Sequence, residues 1–141
     1  MPLTNQSGWM PVALALGLMS NTAVADVVVV VSSSSPVGSL SKAQVADIFL
    51  GKTMHFPDGA KVLVIDQAEG SAVRDEFYDK VFGKSAAQIK AYWSKIIFTG
   101  RGQPPPSVSN TIEMMRRLSA NPAAIGYIDR GMINNSVRVV Y

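Results

Sequence analysis

The sequence predicts an α/β domain with a mostly parallel central sheet flanked by about four helices. Three observations predict this class. Residues 27–31 are consecutive valines, which is typical of a strand buried on both faces, as in a parallel sheet covered by helices. Serine capping signals precede several amphipathic segments farther along the chain. The 141 residues include no cysteine, so packing rather than disulfides has to hold the domain together.

Residues 1–25 predict a secretory signal peptide. They contain no charged side chain, residues 9–19 form an apolar stretch too short to cross a bilayer as a stable helix, and Ala23-Val24-Ala25 matches a cleavage site. We therefore expect cleavage before Asp26, a periplasmic location and a single domain over residues 26–141. The basic start that such signals usually have is missing, so an uncleaved membrane anchor or a buried N-terminal helix stays open as an alternative.

The charge and the residue spacing limit the classes of ligand. A formal net charge of +3 mildly favours anionic ligands or surfaces. The basic residues are scattered rather than grouped in a stripe, so we expect no nucleic-acid partner. No spacing typical of a metal site and no glycine-rich nucleotide loop occurs, so we expect neither a metal nor a cofactor.

The valine strand, which we expect at the centre of the sheet, ends in a polar loop of serines at residues 32–35. Ligands of open α/β sheets bind at the carboxyl ends of strands, so Ser33 and Ser34 are possible anion ligands, with a solvated turn as the alternative. Ser41 and Gln44 then match a capping box, which predicts the first helix. Its inward residues and its end are predicted at Val45, Ile48, Phe49 and Gly51.

A turn at residues 55–59 leads into the second predicted strand, residues 61–65. His55 is the sole histidine and has no positioned partner, so we expect a structural role for it. Ser71 is the expected N-cap of the second helix, and Gly83 is its expected end. The inward residues of this helix are predicted to be Val73, Phe77, Val81 and Phe82.

Ser85 and Gln88 form another capping box and predict the third helix. Its apolar stripe is expected to belong to the core and comprises Ile89, Tyr92, Trp93, Ile96 and Ile97. Residues 98–106 then combine two glycines, an arginine and three prolines, which predicts a stiff exposed arm. Arg101 at its tip would meet an anion or a protein partner, with a solvated charge as the alternative.

Ser109 is the expected cap of the last helix, which runs through Leu118 and stops at the Asn-Pro pair at 121–122. Residues 124–128 predict a third strand. Residues 137–141 predict a fourth strand at a sheet edge, because apolar and polar residues alternate there. The inward residues of the last helix are predicted to be Ile112, Met115 and Leu118.

The strand, loop and helix at residues 61–83 predict an anion site. A helix N-terminus that follows a strand leaves free backbone N–H groups and the positive end of the helix dipole at one spot, and this combination binds small oxyanions. The helix in question begins at Gly70 and Ser71.

Several short motifs follow one another in a specific order: LSKAQVADIFLGK, a PDG turn, a strand, GSAVRDEFY, a helix with a tryptophan, and NPAAIGYI. This order resembles the phosphate-binding proteins of ABC importers, which are type II periplasmic binding proteins. The resemblance covers residues 27–140 and corresponds to one lobe of a family whose members close two lobes on their ligand. It implies a single-lobe, periplasmic binding protein-like fold.

The ligand motif of that family is an Arg, then Ser-Gly-Thr at a helix start, often with a further Arg. Gln67 stands where the first Arg would be, and Ala72 and Val73 replace the Gly and the Thr, whereas Ser71 and Arg74 match. Because two side-chain contacts are lost, the resemblance implies weak binding. The implied phosphate or oxyanion ligands are Gly70, Ser71, Ala72, Val73 and Arg74, with Gln67 as a possible addition.

The predicted function is therefore that of a periplasmic solute-binding-like protein that holds phosphate or another small oxyanion weakly. Catalysis is not expected: Asp66, Glu69 and Asp75 lie near Ser71, but carboxylates beside a helix N-terminus are more often dipole partners, and Ser71 has no paired base. The alternative is a non-catalytic protein-interaction module of the envelope, which would use the Arg101 arm or the last strand. An ABC permease and a second copy of the chain are possible partners.

Overall fold

The computed structural model describes residues 26–141, together with Gly8 and Pro11, so the predicted signal peptide lies outside the described residues apart from those two positions. The strands are β1 (Val27–Ser32), β2 (Leu63–Val64), β3 (Asp66–Gln67), β4 (Ser107–Val108), β5 (Ala124–Asp129) and β6 (Val137–Val139). The helices are α1 (Lys42–Phe49), α2 (Ala72–Phe82), α3 (Ala86–Phe98) and α4 (Thr111–Ala120), with a short 3-10 helix at Arg130–Met132. No helix within the described residues is long and apolar enough to cross a membrane.

The main sheet has four strands in the order β2-β5-β1-β6, and β3 pairs with β4 in a second, two-stranded sheet. β1 lies inside the main sheet and β6 at its edge, as predicted. The prediction of a mostly parallel sheet needs correction, because β1 runs antiparallel to both β5 and β6, whereas β2–β5 and β3–β4 are parallel pairs. Burial of a strand on both faces requires a cover on each face, but it does not fix the direction of the strand.

The main sheet separates two parts of the core. Val27, Val29 and Val31 face one side and pack with residues of α1, α2 and α3. Val28 and Val30 alternate to the other side, where α4 covers them. The α4 helix lies so close to β5 that a Cβ at Gly126 would sit 2.5 Å from the Met114 sulfur. All five valines are therefore buried, as the sequence predicts.

Local capping signals determine where three of the helices begin. Ser41 and Ser85 each form a full capping box with a glutamine, Ser71 caps α2, and Gly83 ends α2 in the left-handed conformation at φ +61°. The prediction that Ser109 caps α4 was wrong. Asn110 is the N-cap, because its side-chain oxygen accepts a hydrogen bond from the Glu113 N–H at 2.9 Å.

The inward faces of α3 and α4 differ from the predicted ones. In α4, Met114 and Leu118 are buried and Met115 is partly buried, whereas Ile112 is 75% exposed. Ile112 precedes Met114 by two positions and therefore lies on nearly the opposite side of the helix from the buried face. In α3, only Ile89 of the predicted stripe is fully buried. Tyr92, Trp93 and Ile96 are only partly buried, and Ile97 is 46% exposed.

Two smaller differences concern the second strand and α2. Of the segment predicted as one strand over residues 61–65, only Leu63–Val64 forms a strand, which is β2 and pairs with β5. The next strand, β3, begins at Asp66 and pairs with β4 in the other sheet. In α2, Phe77 and Val81 are buried as predicted, Val73 and Phe82 are only partly buried, and Tyr78 is an additional buried residue. The burial of Tyr78 matters for the site described next.

Candidate functional site

Two helices begin at one edge of the small β3–β4 sheet. The strands are parallel, with Asp66 opposite Ser107 and Gln67 opposite Val108, and the Ala68 N–H continues the pairing to the Val108 carbonyl at 2.9 Å. Because the carboxyl ends of parallel strands lie at the same edge, the N-caps Ser71 of α2 and Asn110 of α4 both follow that edge. The positive ends of two helix dipoles therefore face the same region.

The first turn of α2 has backbone donors without intrahelical partners. The first intrahelical bond runs from the Asp75 N–H to the Ser71 carbonyl at 3.1 Å, so the N–H groups of Ala72 and Val73 precede it. Gly70 reaches the helix with φ +88°, and a Cβ added there would meet nothing within 4 Å. The approach to this helix start is therefore open.

The side chains of Ser71 and Gln67 are already engaged with each other. The Ser71 hydroxyl donates to Gln67 Oε1 at 2.9 Å and accepts from the Arg74 N–H at 3.3 Å. Gln67 in turn donates its side-chain amide to the Tyr127 carbonyl at 2.9 Å. The serine therefore holds the helix start in place, and its hydroxyl hydrogen is not free for a ligand in this arrangement.

Below the helix start lies a buried carboxylate, Asp66, which is 8% exposed. It accepts hydrogen bonds from the Tyr78 hydroxyl at 2.5 Å, from the Tyr127 hydroxyl, and from the backbone N–H of Gln67 at 2.8 Å. Arg74 joins this network because its Nε donates to the Tyr78 hydroxyl at 2.8 Å and lies 3.9 Å from the Asp66 carboxylate. We call Asp66, Arg74, Tyr78 and Tyr127 the Asp66 network.

The protonation states in the Asp66 network follow from burial and from the carboxylate. Burial and the nearby charge of Asp66 raise the pKa of both Tyr78 and Tyr127, so both hydroxyls stay protonated and donate. Burial alone would lower the pKa of Arg74, but the hydrogen bond to Tyr78 and the charge of Asp66 outweigh it and raise that pKa. The guanidinium therefore remains charged.

Arg74 keeps donors to spare. Its side chain is 15% exposed, and no residue within 26–141 accepts a hydrogen bond from its terminal Nη groups. These groups and the N–H groups of Ala72 and Val73 can bind a small anion. The carboxylates oppose such binding, because Asp66 lies beneath the site and Asp75 occupies the first turn of α2, whereas the Glu69 side chain is 3.7 Å from Lys90.

The structure brings together six of the predicted site residues and separates three. Ser33 and Ser34 follow the carboxyl end of β1, and because β1 is antiparallel to β5 this end lies at the opposite edge of the main sheet from Gln67. Both serines serve a turn instead: the Ser33 N–H donates to Ser136, and Ser34 bonds to the Ser32 hydroxyl. Arg101 lines a separate cavity beside α3. The six that the structure brings together are Gln67, Gly70, Ser71, Ala72, Val73 and Arg74.

Sequence reasoning missed the tyrosines of the network. Tyr127 is fully buried in β5 and stacks on Phe77, with ring centroids 3.9 Å apart and planes 6° from parallel. Its contact with Asp66 joins residues 61 positions apart in the chain. A tyrosine within an otherwise apolar strand is a signal, since a buried hydroxyl needs a partner, but it does not say which partner.

No three metal-ligating side chains of the described residues come together as a metal site. His55, the sole histidine, is exposed and forms an isolated antiparallel bridge with Lys61.

No protein-family model matches this sequence, and no curated protein matches it. Solved structures do match. A protein described as a phosphate ABC transporter substrate-binding protein with bound phosphate, from Clostridium perfringens, aligns with a TM-score of 0.64 at 21% identity over 81% of this chain and 43% of that one. An ABC-type phosphate transport receptor from Vibrio cholerae aligns with a TM-score of 0.62 at 19% identity, over 81% of this chain and 44% of that one. PstS from Borrelia burgdorferi aligns with a TM-score of 0.62 at 17% identity, over 81% of this chain and 46% of that one.

The chain spans less than half the length of these proteins. At such identities the likeness concerns the fold, and at that level the resemblance seen in the sequence is confirmed. The chain has the fold of a single lobe of a phosphate ABC transporter substrate-binding protein.

Proposed function

We propose that this chain is a non-catalytic, periplasmic solute-binding-like protein that holds phosphate or another small oxyanion weakly at the start of α2. The observation that carries the proposal is the set of donors described above: two backbone N–H groups, at Ala72 and Val73, beside a charged Arg74 with unused Nη groups. Donors of this kind at a helix N-terminus bind anions because the helix dipole adds to their partial charges.

The fold supports the same function. The similar protein from Clostridium perfringens was solved with bound phosphate, and the other two are described as a phosphate transport receptor and as PstS. The proposed periplasmic location rests on the N-terminal sequence and on the class of these proteins. An ABC permease and a second copy of this chain are the partners that the fold suggests.

The contacts available point to weak binding. Hydrogen bonds to a charged group contribute about 1.5–3 kcal/mol each before the cost of association. Ser71 and Gln67 are committed to each other, and Asp66 and Asp75 repel an anion. We therefore expect a net binding free energy of about −4 kcal/mol, which corresponds to a dissociation constant of about 1 mM.

Isothermal titration calorimetry in low-salt buffer tests the proposal. Phosphate should bind with a millimolar dissociation constant, and Arg74→Ala should weaken binding by about tenfold or more. Arg101→Ala is the matched control, because it removes an arginine that lines a different cavity. Ser71→Gly retains most of the N-cap contribution to stability, so it tests the serine without unfolding the helix start.

The proposal fails if phosphate, sulfate and molybdate all give no heat at millimolar concentration, or if Arg101→Ala weakens binding as much as Arg74→Ala does. Sedimentation with and without phosphate tests the proposed pairing of two copies. The alternative function, a protein-interaction module of the envelope, is favoured by one observation, the apolar surface beside α3 that is described next.

A further inference from the structure

A groove beside α3 has no part in the anion site. It consists of two adjoining cavities of about 440 and 180 Å³ that share Gly51, Met54, Trp93 and Gln103 as lining residues. We call these two cavities the Trp93 groove. Its walls are the end of α1, the exposed side of α3 and the proline-rich arm that follows α3.

The shape of the Trp93 groove is set before any partner arrives. Gly51 adopts φ +71°, and a Cβ there would lie 3.2 Å from the Trp93 ring, so the ring rests directly against this glycine. Tyr92 is fixed by a hydrogen bond from its hydroxyl to the Leu50 carbonyl at 2.7 Å. The prolines at 104–106 stiffen the opposite wall. A rigid groove loses little conformational entropy when it binds.

The lining of the Trp93 groove combines apolar and basic side chains. Met54 and Trp93 are among the apolar ones, and Lys95 and Arg101 are the basic ones. No acidic residue of the described chain lines either cavity, and neither Lys95 nor Arg101 forms an ion pair with a described residue. The groove therefore presents uncompensated positive charge beside apolar side chains.

The end of α3 also carries exposed apolar side chains, although they do not line the groove. Phe98, at the last position of α3, is 92% exposed, and its neighbour Ile97 is 46% exposed. The two adjoining cavities share four lining residues and so form one elongated surface, which suits a chain segment better than a compact small molecule.

We propose that the Trp93 groove binds an acidic peptide segment of a partner protein, with an aromatic or aliphatic side chain anchored against Trp93. Carboxylates of the segment pair with Lys95 and Arg101, which steers association and selects against basic segments. The anchor removes Trp93 and Met54 from water and supplies most of the affinity, as tryptophan does at other interfaces. This role is independent of anion binding at α2, because no residue lining the groove belongs to the Asp66 network or to the helix start.

Fluorescence anisotropy with two synthetic peptides tests the proposal. One fluorescein-labelled peptide alternates glutamate with phenylalanine and leucine, and its matched partner replaces every glutamate by lysine. The glutamate peptide should bind the purified chain saturably, and the lysine peptide should not. Trp93→Ala should weaken the affinity for the glutamate peptide by about tenfold or more.

Further variants distinguish a loss of contacts with the peptide from a loss of folding. Met54→Ala alters a side chain that lines both cavities and is 63% exposed, so it should reduce affinity while thermal unfolding stays the same. The double charge reversal Lys95→Glu and Arg101→Glu should abolish binding of the glutamate peptide, whereas Lys84→Glu, an exposed lysine at the other end of α3, should not. Millimolar phosphate should not compete with the peptide beyond the effect of equal ionic strength.

Three outcomes overturn the proposal. Both peptides bind equally well, or the glutamate peptide still binds after the double charge reversal. The third is that a small aromatic anion such as anilinonaphthalene sulfonate binds in the groove as tightly as the peptide does. Self-association of the chain that Trp93→Ala abolishes would show that a second copy, rather than an acidic segment, covers the groove. Failure of the phosphate titration at α2 would leave this proposal intact, since the two tests use different residues and probes.

Discussion

Replacing Tyr127 by phenylalanine tests how much the Asp66 network stabilises the fold. The change removes one hydroxyl, which donates to the Asp66 carboxylate and accepts from the Gln67 N–H at 3.2 Å. The ring remains and keeps its stacking on Phe77, so no large cavity forms. Tyr127 is fully buried, and water does not replace the lost donor.

The size of the effect follows from the charge of the acceptor. A hydrogen bond to a charged group contributes about 1.5–3 kcal/mol, whereas one between neutral groups contributes about 0.5–1.5 kcal/mol. We therefore expect Tyr127→Phe to lower the free energy of unfolding by about 2 kcal/mol. Tyr92→Phe is the matched control, because the Tyr92 hydroxyl donates to a neutral carbonyl in a partly exposed setting, and its loss should cost less.

The measurement is urea unfolding of wild type and both variants at neutral pH, with unchanged dependence of the free energy on urea. The same experiment at alkaline pH adds a second criterion. Because the pKa of Tyr127 is raised above its unfolded value of about 10, the folded state retains a proton that the unfolded state loses. The contribution of the Tyr127 hydroxyl to the free energy of unfolding is complete below about pH 10 and declines as the pH rises. Tyr127→Phe should therefore lose less stability than the wild type does as the pH is raised above about 10.

If Tyr127→Phe lowers the free energy of unfolding by less than about 0.5 kcal/mol, or by no more than Tyr92→Phe does, then charge-assisted hydrogen bonds to Asp66 do not stabilise the fold.

Three further predictions concern packing, capping and surface charge. Gly126→Ala should destabilise the fold by about 1–3 kcal/mol in urea unfolding, because the new Cβ would sit 2.5 Å from the Met114 sulfur, and an unchanged midpoint would contradict this. Asn110→Ala should cost about 1 kcal/mol, whereas Ser109→Ala should stay within about 0.5 kcal/mol, and the reverse order would restore Ser109 as the cap. Glu113, whose hydrogen bonds to two arginines lower its pKa to about 2, should titrate at that pH in carboxyl NMR and not near its ordinary value. The favourable contribution of that carboxylate is present above its unfolded pKa and is lost as the pH falls toward 2.

Features that depend on neighbouring residues in the chain were predictable from the sequence. The capping boxes at Ser41 and Ser85, the cap at Ser71 and the left-handed end at Gly83 form as expected. Each involves residues at most four positions apart, so the pattern contains all of the necessary information. The local choice between Ser109 and Asn110 failed because both residues are good caps and only the tertiary position of the helix decides between them.

Features that depend on strand direction were not predictable. The valine run specifies burial on both faces, and the same composition serves a parallel or an antiparallel strand. The antiparallel direction of β1 places Ser33 and Ser34 at the opposite edge of the sheet from the start of α2. Those two residues therefore entered the predicted site through an assumption about topology rather than through any property of their own.

The candidate site likewise has a part that was predictable from neighbouring residues and a part that depends on distant ones. Residues 70–74 form a continuous segment, so their proximity follows from the helix start alone. The Asp66 network depends on contacts with Tyr78 and Tyr127, which lie 12 and 61 positions away from Asp66. The burial of the α3 stripe was also not predictable, because it depends on contacts with distant parts of the chain. An apolar stripe predicts a covered surface, but it does not show whether the rest of the chain covers it.

The proposed function requires a small oxyanion to bind at the start of α2. An amide NMR titration with phosphate at constant ionic strength tests it most directly, since it reports where the anion lies as well as whether it binds. We predict saturable shifts centred on the amides of Gly70, Ala72 and Val73, with a millimolar midpoint, and their loss in Arg74→Ala. Absence of saturable shifts, or shifts confined to Arg101 and its neighbours, would contradict the proposed function.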